Sequence, residues 1–196
     1  MTTYTLRDLQ FLIDRCIRYH QRRSSFYNRC HKLTLAVSLL SMTAMFGGEL
    51  GEGYAGAIVV VLLLADFVVG FSAKSDLHSS IARLYVNLQR KALKAVGEEK
   101  ASKIQDEMFE ISASEPPAYM ALEADCCNQA LWARDGKTEK SFQEERIIGT
   151  RHRLTMHLLR YSGTDFPCRK ELASKKQETA SEPPPTPSSS PAAAAE

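Results

Sequence analysis

The feature that most constrains this chain is an apolar stretch, Leu33 to Ala73, that runs for 41 residues without a lysine or an arginine. Those two residue types number 25 in a chain of 196 residues, so their absence over such a length is informative. Its second half, residues 54–73, carries a single charge, at Asp66. As a helix this half is ~30 Å long, which matches the hydrocarbon core of a bilayer. The pattern predicts a membrane-spanning helix.

A second, shorter span is predicted over residues 33–48. Its length as a helix is only ~24 Å, but Lys32 can extend its side chain to the interface while the helix end sits deeper. Between the two spans, residues 47–53 hold four glycines and two glutamates, which suit a tight turn in water. The sequence therefore predicts a transmembrane hairpin over residues 33–73.

The alternative is a buried helical hairpin in a soluble protein. Such a hairpin would need a polar face on each helix, whereas Val59 to Ala65 covers almost two turns without one polar residue. Nearly all of the charge in the chain lies outside the two apolar segments. The membrane interpretation is therefore favoured.

The flanking charges predict the orientation. Residues 1–32 hold seven Lys or Arg against two Asp, residues 74–94 hold five, and the turn holds none. By the positive-inside rule both termini of this multi-pass protein are predicted to be cytoplasmic. The side chains expected to anchor the hairpin at the membrane interface are Arg22, Arg23, Tyr27, Arg29, Lys32 and Lys74.

Helical spacing continues on both sides of the hairpin. Thr5 and Asp8 form a capping-box pattern, and no Pro or Gly follows before Gly47, so residues 1–32 are predicted to be continuous with the first membrane helix. Apolar residues at steps of three and four recur in residues 6–20 and again in residues 77–92. The two seams are expected to pair as a coiled-coil stalk, with residues 74–114 as its second helix.

Two prolines at 116 and 117 end the stalk and open a C-terminal helical region, residues 115–170. One helix is predicted from about Pro117 to Trp132 and another from about Phe142 to Tyr161. The second carries four arginines, and it could cap the stalk, touch the membrane surface or bind a partner. Residues 171–196, rich in Pro, Ser and Ala, are predicted to be disordered. The fold class is an all-α membrane protein with a hairpin, cytoplasmic extensions and one or two further helices.

Asp66 is the residue most expected to carry function. A carboxylate at the membrane centre costs roughly 2.5–3.5 kcal/mol, and Asp66 lies eight residues, ~12 Å, before Lys74, close to mid-bilayer. One interpretation makes it a pore-lining or proton-titrating group in an oligomer. The other makes it a protonated or hydrogen-bonded group satisfied by the neighbouring helix. The intramembrane polar residues that enter either interpretation are Asp66, Ser38, Ser41 and Thr43.

Catalytic and metal-binding patterns are missing from the sequence. The glycines of the turn lack the Lys-Ser/Thr of a phosphate-binding loop, and there is neither a Gly-x-Ser-x-Gly elbow nor a His-Glu-x-x-His motif. We therefore expect no enzyme activity, cofactor or metal. A net charge of +2 does not argue for nucleic acid, and the basic flanks fit anionic lipid headgroups better.

A basic first helix with Arg18-Tyr19-His20-Gln21-Arg22-Arg23 leads into the hairpin, and a helical extension and a Glu115-Pro116-Pro117 break follow. This order of elements, over about residues 6–132, resembles the SLATT family of two-transmembrane-helix proteins. The resemblance implies a bacterial inner-membrane effector of nucleotide-linked conflict systems, such as antiviral defence, that oligomerises and perforates its own cell's membrane. A cytoplasmic sensor or nucleotide-signalling protein would then be its partner.

Three functions follow from these patterns. The favoured one is an oligomerising, pore-forming or membrane-disrupting effector. The alternative is a membrane-anchored adaptor or scaffold, phage- or plasmid-encoded, that recruits a cytoplasmic partner through its helical stalk. The third, a soluble helical-bundle enzyme, requires the protein to remain in the aqueous phase after lysis.

Overall fold

The computed structural model describes residues 4–46, 52–95 and 97–181, and this part of the chain is all-helical without a β-strand. An isolated antiparallel bridge joins Arg146 and Cys168. The helices are α1 (Leu6–Phe46), α2 (Glu52–Val69), α3 (Phe71–Lys94), α4 (Glu98–Ala113), α5 (Met120–Asp135), α6 (Glu139–Glu144), α7 (Thr150–Thr155) and α8 (Arg169–Ser181). The all-α prediction is confirmed. Of the turn predicted at residues 47–53, residues 47–51 lie outside the described residues, and Glu52 and Gly53 belong to α2.

The first helix, α1, is a single rod of 41 residues. Its start is capped as the Thr5 and Asp8 pattern predicts, since the amide of Asp8 donates to Thr5 Oγ1 at 3.2 Å and the amide of Thr5 donates to Asp8 Oδ2 at 3.4 Å. These bonds satisfy amides that a helix start otherwise leaves unpaired. The helix therefore begins in the polar N-terminal segment and continues without a break into the apolar one.

The second apolar segment belongs to α2, which is joined to α3 through one residue, Gly70. Gly70 has φ of 64° and ψ of 50°, a left-handed conformation that glycine adopts at little cost. Helical hydrogen bonding persists on both sides, from the amide of Gly70 to Asp66 O at 2.8 Å and from the amide of Lys74 to Gly70 O at 2.9 Å. We refer to α2 and α3 together as the return arm.

One helix of the described part, Gly56–Lys94 in the return arm, is long and apolar enough to cross a membrane. None of its most apolar 18-residue window is buried inside the protein. A core helix of a soluble protein would bury most of such a window, because water penalises exposed apolar area at about 25 cal/mol per Å².

The return arm packs antiparallel against α1. Residues later in α1 contact residues earlier in the return arm, and these pairs fix the register of the two helices. The polar contacts are His31 Nδ1 with Asp66 Oδ2 at 2.9 Å, Ser24 Oγ with Ser75 Oγ at 3.2 Å, His20 Nδ1 with His78 Nδ1 at 2.9 Å, and Gln10 Nε2 with Ala92 O at 3.4 Å.

The predicted stalk helix over residues 74–114 is wrong, because the chain reverses at Gly97. Gly97 has φ of 94°, which suits glycine alone, and α4 then folds back beside α3. Lys91 Nζ contacts Glu107 Oε2 at 2.5 Å across this reversal. Three helices therefore share the core of the extension, which contains Leu9, Ile13, Ile17, Ile81, Tyr85, Leu88, Ala92, Ala101, Ile104 and Met108.

The next helix, α5, lies along α1 and is joined to it by charged pairs. Arg7 contacts Asp135 at 3.1 Å, Arg15 contacts Glu123 at 3.4 Å, and Arg22 contacts Asp125. Buried Ala121, Leu122, Cys126 and Ala130 of α5 supply apolar packing. The N-terminal part of α1 is therefore covered by α3, α4 and α5, whereas its apolar end contacts α2.

Two predictions for the C-terminal region are wrong. The helix expected over residues 142–161 is two short helices, α6 and α7, because Asn128 binds the chain between them: its amide donates to Arg146 O at 2.9 Å and its carbonyl accepts from the amide of Arg146 at 2.8 Å. Residues 171–181, expected to be disordered, belong to α8. The rest of the predicted tail, residues 182–196, lies outside the described residues.

The shared core predicts a sharp difference between two leucines of α3. Leu88 is 1% exposed and Leu84 is 48% exposed. Leu88→Ala should lower the free energy of unfolding by about 2–5 kcal/mol, because it leaves a cavity among α1, α3 and α4. Leu84→Ala should cost less than about 1 kcal/mol. Thermal unfolding of the full chain in detergent measures both, and equal losses would contradict the described packing.

Candidate functional site

One polar pair lies between the apolar parts of the two hairpin helices. His31 Nδ1 of α1 and Asp66 Oδ2 of α2 are 2.9 Å apart, and both side chains are largely shielded. The other carboxylate oxygen, Asp66 Oδ1, is buried without a hydrogen-bond partner among the described residues. We call this contact the hairpin pair.

The hairpin pair corrects two expectations about Asp66. Its partner is His31, and not a hydroxyl of the first apolar segment. Asp66 also lies opposite His31 at the edge of the apolar part of α1, whereas the sequence predicted that Asp66 lies near the middle of the bilayer. The position differs because the register of the hairpin, and not the distance to Lys74 alone, decides which residues of α1 stand opposite Asp66.

The three hydroxyl residues expected near Asp66 are placed elsewhere. Ser38 is buried, and its Oγ has no hydrogen-bond partner among the described residues. Thr43 is exposed and donates back to Leu39 O at 3.2 Å and Leu40 O at 2.8 Å, as hydroxyls in apolar helices commonly do. Ser41 is half-buried.

The outer surface of the hairpin is apolar. Large hydrophobic side chains of both helices face outward. Within the described residues 33–43 and 56–66 the only charged side chain is that of Asp66, and it faces α1. The exposed side chains are Leu33, Leu35, Leu39, Leu40, Met42, Ile58, Val60, Val61, Leu63, Leu64, Phe67 and Val68.

A second set of polar side chains lies below the hairpin pair, where α1, α3 and the segments after α4 and α7 meet. We call it the buried polar cluster. Its residues are Tyr19, His20, Arg23, Tyr27, His78, Tyr85, Glu115, Tyr119 and His157.

Arg23 is fully buried at one side of this cluster. Its guanidinium lies 3.7 Å from the ring centroid of Tyr119 and 4.5 Å from that of Tyr27, distances at which a cation is attracted to the ring face. It donates through Nη1 to His157 O at 2.6 Å and through Nη2 to the hydroxyl of Tyr27. Arg23 therefore joins α1 to the segments at residues 119 and 157.

A line of hydrogen-bonding groups forms the other side. The rings of His20 and His78 meet through their Nδ1 atoms at 2.9 Å, so one ring donates and the other accepts. His20 Nε2 lies 3.2 Å from Glu115 Oε1. Tyr85 donates its hydroxyl proton to the same oxygen. The line connects α3, α1 and the residue before the two prolines.

The His20 and His78 contact allows one proton between the two Nδ1 atoms, since two N–H groups would face each other if both rings were charged. Burial, together with the electrostatic effect of neighbouring His20 and Arg23, lowers the pKa of His78 to about 4. Burial and the nearby arginines also lower the pKa of His157 to about 4. Although burial opposes ionisation of Glu115, its contacts with His20 and Tyr85 hold the pKa of that carboxyl below its usual value.

The predicted interface anchors divide into two groups. Arg23 and Tyr27 are buried in the polar cluster, and Arg22 pairs with Asp125 of α5, so protein contacts engage these side chains where lipid headgroups were expected. Arg29 and Lys32 are exposed, and exposed Lys74 places its Nζ 5.8 Å from the Tyr27 ring centroid. Only the second group is free to reach an interface in this conformation.

Sequence reasoning singled out Asp66 but missed His31 and the polar cluster. His20, Arg23 and Tyr27 recur at helical steps of three and four, a signal for one shared face of α1. Their partners come from residues 78, 115, 119 and 157, which only the tertiary fold brings together. The described residues contain no group of three or more His, Cys, Asp or Glu side chains placed to hold a metal ion.

Both polar sites hold two helices in one register and provide groups that change charge with protonation. Neither contains a nucleophile beside a base with access to a substrate. Comparison of the chain with protein-family models, curated proteins and solved structures finds no match in any of the three.

The lowered pKa of His78 predicts a loss of stability in acid. The unfolded chain, with a His pKa of 6.5, takes up the proton more readily than the folded chain at about 4. The free energy of unfolding should therefore be unaffected by this group above pH 6.5 and fall as pH drops toward 4, by about 2–3 kcal/mol. His157 adds a loss of the same sign.

His78→Asn keeps a hydrogen-bonding amide but cannot titrate in this range, so its stability should fall less between pH 6.5 and pH 4.5 than that of the parent chain. Glu115 contributes mainly below this window. Chemical unfolding in detergent at a series of pH values measures the difference. Identical pH dependence in the two proteins would contradict the assignment.

Proposed function

We propose that this chain is a bacterial inner-membrane protein whose α1 and α2 segments form an inserted helical hairpin, with both termini cytoplasmic. Two features support the proposal: no residue of the apolar window of the return arm is buried inside the protein, and the facing end of α1 presents further exposed leucines. Water would penalise this surface, whereas hydrocarbon would not.

The proposed activity is that of an oligomerising effector that disrupts the membrane. The hairpin pair is the observation that carries it. A membrane anchor needs no carboxylate between its helices, and a carboxylate inside an apolar segment makes insertion less favourable. Asp66 contacts His31, and among the described residues its second oxygen has no hydrogen-bond partner. Such a group is metastable and would gain from water or from polar groups of neighbouring protomers.

In this proposal the structure corresponds to the closed form, in which Asp66 faces α1 and the outer surface is apolar. Opening requires the helices to separate at the hairpin pair, so that Asp66 faces a space shared between protomers. A signal acting on the cytoplasmic helices can favour that state only if it binds the open arrangement better than the closed one. A cytoplasmic sensor or nucleotide-signalling protein of a bacterial conflict system is the proposed source of the signal.

A membrane-anchored adaptor is the second candidate. It is supported by a groove of about 800 Å³ between the start of α1, α5 and α8, at the end of the molecule far from the hairpin. The groove combines apolar Phe11, Leu12 and Leu131 with charged Glu144 and Arg146. A partner helix with a mixed surface would fit such a groove, and the hairpin would then serve only as a tether.

The hairpin pair distinguishes the two candidates through leakage from vesicles. His31→Ala leaves the buried carboxylate without its partner, at a cost of about 1–3 kcal/mol, which is enough to shift a closed–open equilibrium about 5- to 150-fold. The effector proposal therefore expects His31→Ala to raise dye leakage from vesicles that contain the full chain. Vesicles with the Asp66→Leu variant should leak no more than vesicles with the parent chain. The double variant, His31→Ala with Asp66→Leu, should behave like Asp66→Leu alone.

Asn28→Ala is the matched control, because Asn28 is exposed on α1 one turn before His31. It should leave leakage at the parent level. Equal leakage from the parent, His31→Ala and Asp66→Leu proteins, at equal amounts inserted, would contradict the effector proposal and favour the adaptor.

A further inference from the structure

The segment at residues 150–160, which comprises α7 and the turn after it, carries an unusual surface. We call it the leucine loop. Leu154, Leu158 and Leu159 are all more than half exposed, although they lie within six residues of one another. Exposed Arg151 and Arg153 precede them and exposed Arg160 follows them. Isolated exposed leucines are common on soluble proteins, whereas a cluster beside basic residues is typical of an interaction surface.

The structure fixes where the leucine loop lies. Arg23 Nη1 donates to His157 O at 2.6 Å, and the His157 ring stacks on Phe26 at 4.6 Å between centroids with the planes only 7° apart. At the end of the loop, Arg160 O accepts from the amide of Met120 at 3.1 Å. Phe26 lies seven residues before Leu33, a distance of ~10 Å along α1. The loop is therefore held beside α1 just before its apolar segment begins.

The charge around the leucine loop is uncompensated. Within the described part of the chain, none of the guanidinium groups of Arg29, Arg151, Arg153 and Arg160 forms an ion pair. Arg160 instead lies 5.9 Å from the ring centroid of Tyr119. These four cations and the three exposed leucines complement a lipid surface, which has anionic headgroups outside and apolar acyl chains beneath.

We propose that the leucine loop inserts into the cytoplasmic interface of the same bilayer that holds the hairpin. Leu154, Leu158 and Leu159 enter the boundary between headgroups and acyl chains, while the flanking arginines bind lipid phosphates. Basic amphipathic segments bind membranes through this combination of buried apolar area and attraction to anionic lipids. The inference rests on the proposed insertion of the hairpin.

The bilayer is favoured over a protein partner because of continuity. The exposed apolar surface of the hairpin includes Leu33 on α1 and Phe67 and Val68 on α2, next to the level at which Phe26 carries the loop. Once the hairpin is inserted, the loop already lies at the membrane surface and loses little freedom on binding. Through Arg23, the contact also links the membrane interface to the buried polar cluster.

Tryptophan fluorescence in vesicles tests the proposal. The single native tryptophan is first removed by Trp132→Phe, and one new tryptophan is placed at a position of similar exposure in each of three variants of the full chain. Leu158→Trp reports on the leucine loop, Val61→Trp on the hairpin and Leu93→Trp on the far end of α3; these leucine and valine side chains are 66%, 63% and 69% exposed. The vesicles contain phosphatidylethanolamine and phosphatidylglycerol, with and without bromine on the acyl chains.

The proposal expects the Leu158→Trp emission to be blue-shifted and quenched by brominated lipid several-fold more strongly than that of Leu93→Trp. Adding Arg151→Gln and Arg153→Gln should weaken the quenching. Strong quenching of Val61→Trp with none of Leu158→Trp would overturn the loop proposal and leave the hairpin proposal intact. A Leu158→Trp emission that is blue-shifted but insensitive to bromine, as in contact with protein, would overturn it too. Absence of quenching at Val61 would contradict the proposed insertion, and the loop proposal with it.

Discussion

The antiparallel register between α1 and the return arm is the constraint on which the other features depend. Four polar contacts distributed from Gln10 to His31 fit only one alignment of the two helices. Sliding α1 by one turn would leave buried histidines and a carboxylate without partners, each at a cost of about 1–3 kcal/mol or more. Apolar packing alone would tolerate several alignments, because leucine and valine side chains pack without directional bonds. The polar contacts therefore specify the hairpin more sharply than its apolar residues do.

The same register decides how the helices outside the hairpin meet it. It places His20 opposite His78, and Glu115 can then reach His20 after α4 has folded back. Arg23, one turn further along α1, is left to bind the segments at Tyr119 and His157. A change at the hairpin pair and a change in the helices outside the hairpin therefore act on one continuous helix, α1. In the proposed effector this continuity would transmit a cytoplasmic signal to Asp66.

Sequence patterns were sufficient for the local features and insufficient for the reversals. The apolar length of residues 54–73 predicted the one helix of the described residues that is long enough to cross a membrane, and the absence of Pro and Gly predicted the unbroken α1. The prediction of one continuous stalk helix was wrong at Gly97. The apolar spacing resumes after this residue, and such spacing does not show whether the chain continues or reverses. The prediction of one helix over residues 142–161 was wrong because Asn128, distant in sequence, hydrogen-bonds the backbone of Arg146.

The candidate site shows the same division. Asp66 was identifiable, since a lone carboxylate in an apolar segment is costly wherever it lies. His31 was not, because its role depends on the register, and the expected partners Ser38, Ser41 and Thr43 were chosen from the apolar segment alone. Arg23 and Tyr27 looked like interface anchors because basic and aromatic residues beside an apolar run usually are. Their burial depends on Tyr119 and His157, which the fold supplies.

The central claim is that the hairpin crosses the bilayer and returns, and side-specific labelling tests it most directly. The five native cysteines all lie before the first apolar segment or after the second, on the proposed cytoplasmic side. A membrane-impermeant maleimide added to intact spheroplasts should therefore leave the parent chain unlabelled and label the Glu49→Cys variant, whose new thiol lies between the two segments. Labelling of Glu49→Cys only after the membrane is permeabilised would contradict the account, as would labelling of the parent chain from outside.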